Sequence, residues 1–254
     1  INHFGIEHLK SLSGKELLTS LFYNDKGNKL NLCYVLEMDK DMREIFGSIA
    51  GGAAYKFGLF FHKKTQSWTC GSPAKPVKLT ENEAIQKAEE IRNDLVAGAE
   101  IISSFGPLNS TADYEQLYKQ LEHISGINTV WRMKYYQMLF PILFAPFYGQ
   151  DIQLDVLHFL NQTPSEIPFL RMGQIALFSK KCNIPGIVFG HIWGRSTNHN
   201  NKSNDSETNT LSDKKHKLHY WMYTVFDDTS WMECQQKEIM VLGMDDIGDY
   251  SQYD

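Results

Sequence analysis

The stretch from Thr80 to Ile102 constrains this chain more than any other. Thr80-Glu81-Asn82-Glu83 is a capping box, in which a Thr hydroxyl and a Glu carboxylate satisfy each other's exposed backbone N–H groups at a helix start. Ala84, Ala88, Ile91, Leu95, Ala99 and Ile102 then recur at helical spacing. This predicts one long helix, apolar on one side, with Glu89, Glu90, Arg92 and Asp94 turned to solvent, and ended by Gly106-Pro107. A stripe of that length needs an apolar cover. Upstream, Leu30, Leu32, Tyr34, Leu36 and Met38 alternate with Asn31, Cys33, Val35 and Glu37 at the strand period of two. Tyr55, Phe57, Leu59 and Phe61 repeat the pattern, placing Lys56 and His62 on the outer face. Lys63-Lys64-Thr65 turns toward a third strand through Trp68. The expected fold is α+β, a small antiparallel sheet packed on a long helix and followed by a helical unit.

That second unit reads as helix from about Ser110 to Arg195: Tyr114, Leu117, Tyr118 and Leu121, then Trp131, Tyr135 and Met138 up to Pro141, then Ile152, Val156, Phe159 and Leu160. Phe169 to Trp193 reads as a helix pair around a turn at Asn183-Ile184-Pro185. Residues 196–217 hold almost nothing that could be buried and read as a linker. Strand and short-helix patterns resume at Leu218-His219-Tyr220-Trp221, but 218–254 is too short for an independent core. The expected division is 1–105, 106–195, linker 196–217, and an incomplete domain from 218. Ile1 is not an initiator Met, so residues are expected upstream too.

Charge is unevenly spread. Residues 1–80 carry 11 Lys/Arg against 7 Asp/Glu, whereas residues 218–254 carry 1 against 8. A polyanion would be drawn to the first segment and repelled by the last. The longest apolar run, Met138 to Tyr148, is broken by Pro141 and Pro146 and is shorter than the roughly 18 residues a spanning helix needs, so no membrane partner is expected. Cys33, Cys70, Cys182 and Cys234 are scattered without a C-x-x-C pair, which reads as reduced thiols in a cytoplasm and not as a zinc site.

The glycine cluster Gly47 to Gly58 invites a phosphate-loop reading. It lacks G-x-x-x-x-G-K-[ST] and leads into a strand, where phosphate cradling needs a helix N-terminus, so Gly51-Gly52 reads as turn or bulge glycine. No nucleophile with a base, and no Asp with a Glu-x-Lys pair, marks a catalytic centre; no catalysis, metal or cofactor is expected in this chain. Basic residues near aromatics form the more informative set: Arg43, Lys56, Lys63, Lys64 and Trp68 in the first unit, and Lys180, Lys181 and Arg195 near Trp193 in the second. Lysine and arginine suit phosphates, and aromatic planes suit bases.

Phe46-Gly47-Ser48-Ile49-Ala50-Gly51-Gly52-Ala53-Ala54-Tyr55-Lys56-Phe57-Gly58-Leu59-Phe60, preceded by Cys33-Tyr34-Val35-Leu36-Glu37, resembles the N-terminal region of McrB-type restriction NTPases. Trp131-Arg132-Met133-Lys134-Tyr135-Tyr136-Gln137-Met138-Leu139-Phe140-Pro141 is similar to the aromatic helix those proteins carry before their motor. Tyr220-Trp221, Ser230-Trp231 and Leu242 to Tyr250 resemble the opening of an EVE-like, PUA-related reader domain, with Met244 where that pattern favours Trp. The resemblance implies the DNA target-recognition end of a modification-dependent restriction or phage-defence motor, with a McrC-like nuclease as partner of the longer protein. The rival expectation is a protein-docking module using Tyr118, Tyr136 or Phe147 as exposed aromatics.

Overall fold

A computed structural model of the chain describes residues 2–22, 30–49, 51 and 54–201, with side chains as far as 194. It is α+β, with helices throughout and one three-stranded antiparallel sheet. The short helices α1 (Ile6–Ser11) and α2 (Gly14–Leu21) come first, followed by α3 (Leu32–Glu37) and α4 (Lys40–Phe46). Strands β1 (Leu59–His62), β2 (Ser67–Ser72) and β3 (Lys75–Leu79) form a meander that runs straight into helix α5 (Glu81–Ser104). Helices α6 (Thr111–Leu121), α7 (Val130–Leu139), α8 (Gln150–Phe159), α9 (Pro168–Lys181) and α10 (Gly186–Asn201) complete the described chain.

The long helix stands where the sequence places it. Thr80 Oγ1 accepts from the Glu83 N–H at 3.3 Å, and Glu83 Oε2 accepts from the Thr80 N–H at 2.7 Å. Every residue of the apolar stripe is buried. Its polar side differs from expectation. Arg92 donates to the carbonyls of Leu9 (3.1 Å) and Leu12 (2.7 Å), closing the C-terminal end of α1, and Asp94 accepts from both terminal nitrogens of Arg132 at 3.3 Å. Helix α5 is therefore gripped on more than one side, by α1 and α2, by the strands, and by α6 and α7.

The first expected strand is absent: residues 32–37 are helical. Asn31 Oδ1 accepts from the Tyr34 N–H at 2.8 Å as an N-cap, and Asp39 does the same for Met42 at 2.9 Å. Leu32, Cys33 and Leu36 face the core at helical spacing, which a segment apolar at nearly every position also permits. The second expected strand is shortened. Residues 54–57 form a 3-10 turn, and Gly58, at φ +82°, reverses the backbone before β1 begins.

Register pairs Leu59 with Cys70 and Phe61 with Trp68, then Trp68 with Leu79 and Cys70 with Val77. Leu59, Phe61, Trp68, Cys70 and Leu79 on this face meet the core, with Phe61 and Trp68 edge-to-face at 5.4 Å, while Val77 is exposed. On the other face Tyr55 covers Phe60 at 4.6 Å.

One hydrophobic cluster runs from Phe4 to Phe189, so no break in the core marks the expected boundary at 105/106. The α9–turn–α10 pair forms as expected, but α10 continues to Asn201, six residues into the expected linker. The rest of that linker and the 218–254 patterns lie outside the described residues. In α8 the buried positions are Gln153, Val156 and Leu157, while Ile152 and Phe159 are exposed. Gln153 is drawn in by its amide, which donates to the carbonyls of Phe147 (2.8 Å) and Pro168 (3.1 Å) and accepts from Arg171 Nε (3.0 Å). A hydrophobic pattern does not register such a residue.

Helices α5 and α7 touch at Gly98. A β-carbon there would overlap the Tyr136 hydroxyl, which donates to Asp94 O at 3.2 Å, and would lie 2.7 Å from Tyr136 Cζ. Gly98→Ala gains about 1 kcal/mol of helix propensity but overpacks a buried ring. Urea unfolding is expected to show a net loss of about 1–3 kcal/mol, whereas Gly106→Ala, with open space at its β-carbon, stays neutral or gains less than about 1 kcal/mol. Equal effects at the two positions would contradict this packing.

Candidate nucleic-acid interface

The β1–β2 turn, residues 63–66, holds Lys63 and Lys64 in solvent. It is pinned from within. The Thr65 N–H donates to His62 Nδ1 at 3.2 Å, and Thr65 Oγ1 stands 3.0 Å from the same nitrogen. Neutral His62 therefore carries its proton on Nε2. On β3, Lys75 and Lys78 are exposed, and Lys78 stands opposite Thr69, which stands opposite Phe60, so Lys78 shares the outer face with Phe60 and His62. Among the described residues none of Lys63, Lys64, Lys75 and Lys78 has a carboxylate partner.

The reason lies in the chain itself: from Ile45 to Thr80 there is no Asp or Glu. Lysines that find no intramolecular carboxylate keep their charge available for an external anion. Lys75 and Lys78 are absent from the candidates chosen by aromatic proximity. The acid-free run is the sequence signal that identifies them.

Other sequence candidates go elsewhere. Lys56 does not face outward: its ammonium pairs with the half-buried Glu37, donates to the carbonyls of Ile49 and Gly51 at 2.9 Å each, and sits 5.2 Å from the Phe57 ring centroid. Its removal would leave Glu37 and two carbonyls without this donor, so Lys56 belongs to the scaffold. Trp68 is a core residue under the sheet. Arg43 is exposed on α4, and Lys180 and Lys181 are exposed at the end of α9, where Lys180 donates to Asn109 Oδ1 at 2.5 Å. Arg195 lies on α10 with its side chain outside the described residues. The structure thus gathers Lys63 and Lys64 on the sheet and leaves Arg43, Lys180 and Lys181 on helices. The aromatics of the docking alternative are not exposed: Tyr136 and Phe147 are core, and Tyr118 is half-buried with its hydroxyl accepting from Asn128 at 2.9 Å.

The described part of the glycine cluster is tied to the scaffold through its carbonyls. Gly47, at φ +76°, ends α4, and the carbonyls around it turn toward cations and hydroxyls of the scaffold. Phe46 O accepts from the Tyr148 hydroxyl at 2.6 Å, Gly47 O from Lys134 Nζ at 2.5 Å, and Ile49 O and Gly51 O from Lys56. An anion cradle presents N–H groups; in the described part of this loop the carbonyls of Phe46, Gly47, Ile49 and Gly51 are already held by donors of the scaffold. Among the described residues no group of three or more His, Cys, Asp or Glu could hold a metal ion, and no helix is long and apolar enough to cross a membrane. Comparison with protein-family models, with curated proteins and with solved structures finds no match to this chain.

Lys134 is fully buried on α7, and burial pulls its ammonium down to about 8, with the Arg43 charge acting in the same direction and Asp39 opposing. The ordinary value is 10.5. Between these pH values the unfolded chain binds a proton that the folded chain has released, so stability rises with pH across this window. The buried tyrosines, whose hydroxyls are pushed upward by burial, oppose it only above about pH 10. Urea midpoints of the wild type are expected to climb from about pH 8 to about pH 9.5 relative to Lys134→Met. Parallel profiles for the two proteins would contradict the assignment.

Proposed function

We propose that the lysine-bearing surface of the sheet contacts the phosphates of DNA, and that the chain is the non-catalytic target-recognition region of a modification-dependent restriction or anti-phage motor. The observation that carries the first part is that Lys63, Lys64, Lys75 and Lys78 are exposed and, among the described residues, have no carboxylate partner, on a meander whose surrounding sequence holds no acid; Lys63 and Lys64 stand at the β1–β2 end, Lys78 on the outer face and Lys75 at the β2–β3 end. The chain as a whole carries a formal charge of −5. Binding to a polyanion therefore rests on these lysines of the meander and not on net attraction. The second part rests on the resemblance to McrB-type N-terminal regions. That resemblance assigns NTP hydrolysis, modified-base reading and contact with a McrC-like nuclease to a longer protein.

Lysine contacts to phosphate act through counterion release, so affinity falls with salt in proportion to the number of contacts. Four contacts correspond to a loss of about two orders of magnitude between about 50 and 200 mM salt.

The test is fluorescence anisotropy on labelled duplex, unmodified and methylated, with the fourfold variant Lys63→Ala, Lys64→Ala, Lys75→Ala, Lys78→Ala. All four positions are exposed, so each is expected to change stability by less than about 0.5 kcal/mol. Affinity is expected to drop, with the salt slope reduced by about 0.9 per lost contact, while Lys180→Ala with Lys181→Ala leaves both unchanged. A folded fourfold variant that binds with wild-type affinity and slope would remove the sheet from the interface.

A further inference from the structure

A groove of about 510 Å3 opens on the helical side, bounded by the turn after α7, the last turns of α9, the start of α10 and the α5–α6 connection. Leu108, Ile142, Leu143, Leu177, Ile184 and Ile187 give it an apolar lining. Two of its hydroxyls are committed to the scaffold. The Tyr114 hydroxyl donates to Leu143 O, and Ser179 Oγ donates to Ile184 O. A small polar ligand would find few groups free to orient it, since such sites fix a ligand through convergent donors and acceptors. At the rim Ile142 is 93% exposed. Covering an aliphatic side chain of that size is favourable. The apolar surface therefore extends past what a ligand inside the groove could shield.

Charge selects the occupant. The lining contains Lys180 and no Asp or Glu, and Lys181 adjoins it in solvent at the end of α9. Apolar anchors carry the energy of such docking, and complementary charge sets partner and orientation. We infer that this groove docks an acidic segment of another protein, one that inserts two or more apolar side chains between Leu177 and Ile187 and places carboxylates against Lys180 and Lys181. The site is separate from the lysines of the sheet, so this inference goes beyond the DNA reading and does not rest on it.

The test is selection of a random-peptide display library on the 254-residue chain, followed by fluorescence polarisation of the enriched peptides. Enriched sequences are expected to combine Asp or Glu with apolar residues and to lose at least about tenfold in affinity to Ile142→Glu and to Lys180→Glu. Ile142→Ser, which keeps the position neutral, should lose less than Ile142→Glu. The fourfold sheet variant should bind these peptides as the wild type does. Circular dichroism melts establish that each variant is folded. Failure to enrich, enrichment of basic peptides, or indifference to both Ile142→Glu and Lys180→Glu would overturn the inference. So would a wild-type dimer by light scattering that Ile142→Glu dissociates, which would give the groove to a second copy of this chain.

Discussion

The fold turns on how closely α7 can approach α5. At Gly98 the missing side chain makes room for the Tyr136 ring, whose hydroxyl reaches the carbonyl of Asp94 one turn earlier. Asp94 in turn accepts from Arg132, one turn ahead of Tyr136 on α7. Apolar fit and polar ties coincide at one crossing. From that crossing α5 extends to α1, which Arg92 closes through the carbonyls of Leu9 and Leu12, and to the inner face of the sheet. Loss of the crossing would expose surface on both sides of the helix.

Around Gly47 to Gly51 the chain solves a different problem. A glycine-rich segment that ends a helix exposes carbonyls, and burying them without partners costs about 1–3 kcal/mol each. Tyr148, Lys134 and Lys56 supply the donors. Burying two ammonium groups is itself unfavourable, which is why Glu37 sits against Lys56 and why Lys134 has its proton affinity reduced. The same need explains why two of the lysines nearest the glycines are unavailable to an outside anion.

Much of this architecture is legible in the sequence wherever signals agree. Thr80 and Glu83 cap a helix whose stripe has one period, so the start and buried stripe of α5 are read correctly although Arg92 and Asp94 are not solvent residues, and Trp68 belongs to a strand as its neighbours suggest. Leu30 to Met38 is misread because nearly every position is apolar, so alternation and helical spacing are both satisfied and the deciding feature is the cap at Asn31. The site is legible in part. Lys63 and Lys64 are flagged by a turn that leaves no room for burial, and Lys75 and Lys78 only by the absence of acids over a long stretch. Lys56 is misplaced because its fate is settled by Glu37, a partner nineteen residues away, and no local periodicity reports a contact of that range.

Strand β3 ends at Leu79 and α5 starts at Glu81, with Thr80 alone between them and both of its backbone and side-chain groups committed to the cap. That junction has no slack. The sheet is joined to a helix of about 36 Å, at about 1.5 Å per residue, whose far end passes through Phe105 to the Pro107 connection. The edge strand therefore takes its direction from the first turn of α5, and the face that carries Lys78 is oriented by the same cap that starts the helix.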